Sequence, residues 1–194
     1  MRKLTYFVAV SIDGFIGGPD GDAGMFMPYV DEEFLGFLKG EYPETISAEG
    51  RRILGLQDLK NRHFDTVVQG RASYDLALAT DITSPYGHLR EYVASRTLEK
   101  SPDPNVEIIS DDLVGRVREL KAKDSEFGIW LCGGSKIAGE LVDEIDELVL
   151  KTYPVILGSG MPMFGSPLAV DAFTLDSVRT FANGVLVRTY SRTA

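Results

Sequence analysis

Three short stretches of the chain join glycine to hydroxyl-bearing and basic side chains, a combination that holds an anion. In V-V-Q-G-R-A-S-Y, residues 67–74, an apolar run stops at Gly70, Arg71 follows, and Ser73 stands near the start of a helix. Glycine lets backbone approach a ligand, and a helix N-terminus offers free N–H groups to negative charge. In Y-V-A-S-R-T, residues 92–97, Ser95, Arg96 and Thr97 supply two hydroxyl donors and one forked cation, which suits a phosphate. In W-L-C-G-G-S-K, residues 130–136, an apolar run meets Gly133, Gly134, Ser135 and Lys136. Two adjacent glycines there suit a close backbone approach to a pyrophosphate. The spacing is neither G-x-G-x-x-G nor G-x-x-x-x-G-K-[ST], so the usual dinucleotide and P-loop fingerprints are absent.

Each stretch sits at the end of a run of strand character, and the elements that must position them alternate strand with helix. Leu4 to Ser11 reads as a strand, rich in β-branched and aromatic residues. Asp13-Gly14 is a turn, followed by Phe15-Ile16 and a Gly/Pro/Asp-rich loop from Gly17 to Gly24. Asp31 to Lys39 reads as a helix with acids in its first turn. Residues 41–64 carry little pattern beyond a helix near Glu49 to Leu59. Further strands are expected at Asp65–Gln69, Tyr92–Ser95, Val106–Ile109, Phe127–Cys132 and Glu147–Tyr153, the last continued by Val155 to Leu157. Helices are expected at Ala72–Ala79, Asp111–Lys123 with Ser110 as N-cap, and Lys136–Val142. Asn183-Gly184 between Phe173–Phe181 and Val185–Ser191 is a hairpin signal. The pattern predicts one α/β domain over residues 1–194, with a mixed, mostly parallel central sheet flanked by helices and a C-terminal β-hairpin. Ligands of open α/β sheets sit at the C-terminal edges of the strands, where all three stretches fall.

Composition narrows the function classes. Twenty-nine acids against 20 bases give a net charge of −9 over 194 residues, which argues against nucleic acid as a general partner. No apolar run approaches the length of a membrane span, and the N-terminus shows no signal-peptide pattern, so a cytoplasmic address with no membrane partner is the expectation. One cysteine, Cys132, makes neither an internal disulfide nor a multi-Cys metal site, and no metal is expected. Cys132 and Trp130 read as core residues, and His63 and His88 as structural histidines.

The stretches VAVSIDGFIGGPDG, FDTVVQGRASYD, SPYGHLREYVASRTL, IWLCGGSKIAGELVDEIDELVL and PVILGSGMPMF cover most of residues 4–165. Together they resemble the dihydrofolate reductase-like superfamily, and within it the C-terminal reductase domain of the bifunctional riboflavin-biosynthesis deaminase/reductase. The resemblance implies an NADPH site. It assigns the nicotinamide carboxamide to the backbone of Ala9 and Ile16, and the phosphates to Gly70, Arg71 and Ser73. Ser95, Arg96 and Thr97 would hold the 2′-phosphate, and Gly133, Gly134, Ser135 and Lys136 the pyrophosphate. It further implies a cis peptide between Gly133 and Gly134, a homodimer, and reduction of a small heterocyclic or ribosylamine-type substrate. The family label is 5-amino-6-(5-phosphoribosylamino)uracil reductase.

The chain departs from these families in places. The zinc deaminase half is absent, with no H-x-E followed by P-C-x-x-C. Met27-Pro28-Tyr29 stands where dihydrofolate reductases carry a Pro-Trp pair, which argues against folate as substrate. Reduction of a C=N bond needs a proton for the nitrogen, so a carboxyl near the nicotinamide is expected. Asp13 and Glu33 are the catalytic candidates: Asp13 follows the first strand, and Glu33 lies in the helix where dihydrofolate reductases keep their acid. Asp13 also suits a turn cap, and Glu33 suits the helix dipole. Lys136, Lys151 and Arg51 are candidate anchors for a phosphorylated substrate, and Phe164 suits either a pocket wall or packing. A dihydrofolate reductase proper and a non-catalytic nucleotide-binding module on the same fold remain as alternatives.

Overall fold

The apolar run at the N-terminus forms the buried centre of a sheet. The structure, a computed structural model, describes residues 1–165 and 169–193. Strand β1, Leu4–Ser11, is parallel to β6, Gly128–Gly133, on one side and to β7, Glu147–Tyr153, on the other. Beyond β6 follow β3, Phe64–Gly70, then β4, Arg90–Ala94, and β5, Val106–Ile109, all parallel. Beyond β7 the hairpin of β9, Phe173–Thr180, and β10, Leu186–Arg192, adds two antiparallel strands. The order is β5-β4-β3-β6-β1-β7-β10-β9. A second small sheet pairs β2, Phe15–Gly17, with β8, Met161–Pro162.

Alternation along the central strands divides the core in two. Leu4, Tyr6, Val8 and Val10 face one side, where α4, Leu113–Ala122, and α5, Ser135–Glu140, cover them with Val117, Leu120, Ile137 and Ala138. Phe7, Trp130, Val149 and Tyr153 face the other side, where α1, Glu32–Glu41, brings Phe34 and Phe37. Phe34 meets Tyr153 at 6.0 Å and Phe181 at 5.0 Å between ring centroids, both edge to face. Strands covered on both faces need apolar residues at almost every position, which is how the β1 sequence reads.

Several expected elements are corrected. The N-cap of α4 is Asp112, whose Oδ1 accepts from the Gly115 N–H at 3.0 Å; Ser110 Oγ instead meets Asp111. Asp31 is the N-cap of α1, accepting from Phe34 N at 2.9 Å, so the helix starts one residue later and runs to Glu41. The expected helix over Glu49–Leu59 is α2, Ala48–Ile53, capped by Ser47. It stops early because Gly55 takes φ +66°, a left-handed turn that closes a helix. Residues 155–157 do not extend β7, because Pro154 breaks the ladder. Strand β4 starts at Arg90 and leaves Ser95 outside, while α3, Arg71–Leu78, and α5 each begin one residue before the expected start. Among the described residues no helix is long and apolar enough to cross a membrane.

Candidate functional site

The C-terminal ends of β3, β4, β5 and β6 open onto one cleft of about 700 Å³. Of the twelve residues expected to hold a cofactor, the cleft wall contains Gly70, Arg71, Ser95, Arg96, Thr97, Gly134, Ser135 and Lys136. These residues come from three separate segments, and the parallel register of β4, β3 and β6 brings them together. Gly70 leaves room for a close approach: a Cβ there would sit 3.3 Å from the Gly134 nitrogen, a tight contact. Ser73, one turn into α3, lies beside the same glycine, its Oγ 3.7 Å from where a Gly134 Cβ would be. The Gly133–Gly134 peptide is cis.

The polar groups of the cleft differ in how far they are already engaged. Ser95 Oγ accepts from the Leu98 N–H at 2.9 Å and the Thr97 N–H at 3.3 Å, which fixes the loop carrying Arg96. Arg71 Nε meets Asp75 Oδ1 at 2.5 Å. Arg96 is exposed, and its Nη2 stands 3.7 Å from Glu140 Oε2 on α5. The Ser135 hydroxyl is buried and has no hydrogen-bond partner among the described residues.

Ala9 and Ile16 lie outside the cleft wall. Ala9 is partly covered on the Phe7 face of β1, and Ile16 on β2 packs against the opposite core. The two carboxylate candidates are in neither place. Asp13 is exposed and caps a loop: it accepts from the Gly158 N–H at 2.7 Å and the Leu157 N–H at 3.1 Å, and from the Ser11 hydroxyl at 2.6 Å. The Ser11 hydroxyl and these amides hold its carboxyl below the usual range. Glu33 points outward from α1 and accepts from the Ala182 N–H at 3.2 Å. Phe164 packs edge-on against Tyr6 at 5.6 Å, His88 Nε2 lies 2.8 Å from the Glu44 carbonyl oxygen, and His63 stacks on Tyr42.

A row of polar side chains crosses the Phe7 face of the sheet, and most of it escapes a sequence reading. Its members are Glu91 on β4, Gln69 on β3, Cys132 on β6 and Lys151 on β7, joined by Tyr86 from the loop before β4. Glu91 accepts from the Ser84 hydroxyl and, at 3.4 Å, from Gln69 Nε2. Burial pushes its carboxyl up to about 7. Burial likewise raises the Cys132 thiol to about 11, while Tyr86 hydrogen-bonds it. Lys151 Nζ lies 4.3 Å from the centroid of the Phe7 ring, and burial lowers it to about 8. The available signal was strand alternation: Gln69 and Lys151 occupy core-facing positions of otherwise apolar strands.

Comparison with known proteins agrees with this fold. The family model for the RibD C-terminal domain matches residues 2–187. Two Bacillus subtilis proteins, the uncharacterized YwjB and YyaP, are 25% and 26% identical, each aligned over at least 94% of both chains. A putative riboflavin biosynthesis protein from Shewanella sp. PV-4 superposes with a TM-score of 0.72 at 24% identity, covering 100% of both chains. A dihydrofolate reductase from Enterococcus faecalis complexed with NADP(H) superposes with a TM-score of 0.65 at 15% identity, over 99% of this chain and 97% of that one. The Thermotoga maritima deaminase/reductase superposes with a TM-score of 0.62 at 18% identity, over 99% of this chain and 57% of that longer one. On the match that runs from before β1, through the glycine-bearing strand ends, to the start of β10, the chain belongs to the RibD C-terminal domain family.

Proposed function

We propose that the chain is an NADPH-dependent reductase of a small heterocyclic or ribosylamine-type substrate. The observation that carries this reading is the convergence of Gly70, Arg71, Ser95, Arg96, Thr97 and Gly134 to Lys136 on one strand-edge cleft. The residues present fit a phosphorylated dinucleotide. Ser135 lines the cleft, and its buried hydroxyl has no partner among the described residues, an unmet group that costs free energy until a polar atom meets it. Gly70 and Gly134 let backbone close on a pyrophosphate, and Ser95, Arg96 and Thr97 form the group suited to a 2′-phosphate. Bound there, the cofactor would supply a hydride equivalent. Glu140 beside Arg96 is an acid that the local sequence did not place at this spot, so a 2′-phosphate must displace it.

Folate is disfavoured as substrate because α1 turns Phe34 and Phe37 inward and Glu33 outward. A nucleotide-binding module without turnover is the second reading, favoured by the engagement of both Asp13 and Glu33 elsewhere. The experiment is NADPH oxidation with 5-amino-6-(5-phosphoribosylamino)uracil, run beside dihydrofolate. Turnover of the pyrimidine is expected. A dihydrofolate kcat/KM above about 10⁴ M⁻¹s⁻¹ would reverse the assignment, and NADPH binding without any oxidation would favour the module.

The homodimer belongs to the same proposal. Edge strand β9 leaves Leu175 and Val178 about half exposed, at 52% and 50%, and an open apolar edge invites pairing. Light scattering that returns the mass of a single 21.3 kDa chain at micromolar concentration rejects it.

A further inference from the structure

Lys151 is a lysine on the core-facing side of a central strand. In register it pairs with Ala9 on β1, and its side chain leans over Phe7, two residues before Ala9. Its neighbours on that face are Val149, Tyr153 and, on β10, Val187. No ion pair or hydrogen bond among the described residues involves its Nζ. The titratable groups around it do not neutralise it. Cys132 and Tyr86 are kept protonated by burial, and Glu91 is occupied by Ser84 and Gln69 on the far side of the row. Tyr42 packs against Phe7 at 4.7 Å, and Glu147 is taken by Lys3 at 2.5 Å and Thr5 at 3.0 Å. Ala9, Tyr86, Cys132 and Lys151 are nevertheless only partly covered, while the sheet around them is buried. An uncompensated, partly covered ammonium therefore lies near the C-terminal end of β1, opposite Ala9, to whose backbone the family resemblance assigns the nicotinamide.

We propose that Lys151 is the proton donor of the reductase, and that the substrate presents to it the oxygen or nitrogen of a reducible C=O or C=N bond. This rests on the reading of the chain as a nicotinamide-dependent reductase. Lys151 gives one proton from Nζ to the heteroatom, which holds the electron pair of the former π bond. The carbon is filled by the hydride equivalent of the reduced nicotinamide, and the neutral amine regains its proton from water. An ammonium that titrates near the working pH suits general-acid chemistry. The carboxylate candidates are engaged elsewhere, Asp13 by the Leu157 and Gly158 N–H groups and Glu33 by the Ala182 N–H.

The test follows Lys151 itself. The full chain is made with isotopically labelled lysine, and the Lys151 signal is identified by its loss in Lys151→Met. The probes are NADP⁺, whose ring is cationic, and NADPH, whose ring is neutral. Binding of each is followed separately by fluorescence of the single tryptophan, Trp130. Free protein should show Lys151 titrating near pH 8. NADP⁺ should lower that midpoint by about one unit or more, as a like charge does at close range, and NADPH by far less. Lys151→Met should bind NADPH within about threefold of wild type, a change below 1 kcal/mol. Binding of both nucleotides with an unmoved Lys151, or a midpoint near 10 in the free protein, overturns this role and leaves the cofactor reading standing. Failure of both to bind overturns the cofactor reading and the role with it.

Discussion

Arg96 and Glu140 face each other across the mouth of the cleft, Nη2 to Oε2 at 3.7 Å. The arginine comes from the loop after β4 and the carboxylate from α5. The pair is exposed, so it is worth little by itself. Its consequence is for ligand choice. A 2′-phosphate competes with Glu140 for the guanidinium, whereas a bare ribose does not need Arg96. Arg96→Ala is expected to weaken NADPH by about 10- to 100-fold and leave NADH nearly unchanged. Glu140→Gln is expected to tighten NADPH by a few-fold, the size of a surface ion pair. Fluorescence titration of both nucleotides decides this, and equal losses for the two in Arg96→Ala would refute the 2′-phosphate contact.

The strand-edge cleft was legible in the sequence because the residues of its wall are local. Gly70-Arg71, Ser95-Arg96-Thr97 and Gly133 to Lys136 each follow an apolar strand within a few residues, so chain order reports position. The surroundings of the two carboxylate candidates were not legible. Asp13 and Glu33 have the right chemistry, but their partners, Gly158 and Ala182, lie more than 140 residues away in sequence. Such contacts leave no local pattern. Lys151 and Gln69 did leave one, as polar residues in core-facing register. Residues 41–64 were opaque for a related reason. A single buried carboxylate, Glu44, organises them by binding backbone rather than through any helical or strand period.

Glu44 is fully buried and accepts from three successive backbone N–H groups, those of Arg62, His63 and Phe64, at 3.3, 2.6 and 2.8 Å. The buried Arg51 guanidinium lies nearby and donates to the Pro43 and Leu59 carbonyls. Glu44→Ala strands those donors and leaves Arg51 without its countercharge. A loss of about 3–5 kcal/mol is expected, as for one partner removed from a buried charged network. Glu44→Gln keeps one acceptor and should cost about 1–3 kcal/mol. Chemical denaturation measures both, and a near-neutral Glu44→Ala would show that these contacts do not hold the segment.

Glu91 sets a pH dependence in the neutral range. Burial raises its carboxyl from 4.5 to about 7. Between those values the folded chain keeps a proton that the unfolded chain loses, so stability falls as pH rises through the window. Glu91→Gln removes the charge and keeps one acceptor oxygen for the Ser84 hydroxyl, while its NH2 group meets Gln69 once the Gln69 amide turns its oxygen inward. It is expected to match wild type near pH 4.5 and to exceed it at pH 8, by a margin on the order of 3 kcal/mol. Thermal unfolding across that range tests the sign; a margin that shrinks with rising pH would contradict it.

Lys151 gives the opposite case, and it links stability to the proposed chemistry. Its pKa is lowered from 10.5 to about 8 because burial penalises the ammonium. Between pH 8 and 10.5 the unfolded chain holds a proton that the folded chain lacks. Stability therefore rises with pH through that window, and the full penalty is present below it. Lys151→Met replaces the ammonium with an unbranched apolar side chain that can lie against Phe7 in the same space. The variant should unfold at higher temperature than wild type at pH 7. The gain should be on the order of 3 kcal/mol, or about 6–12 °C for a domain of this size. The advantage should shrink steadily above pH 8 and nearly vanish by 10.5. A lysine whose pKa the fold left at its ordinary value would show neither the gain nor its pH dependence. One retained at a standing cost to the fold has a use that the fold does not explain, which is the pattern expected of a functional residue in a destabilised site. Calorimetry of the two proteins from pH 6 to 10.5 is the measurement, and a destabilised Lys151→Met at pH 7 would show that the ammonium is held by the fold rather than reserved for a substrate.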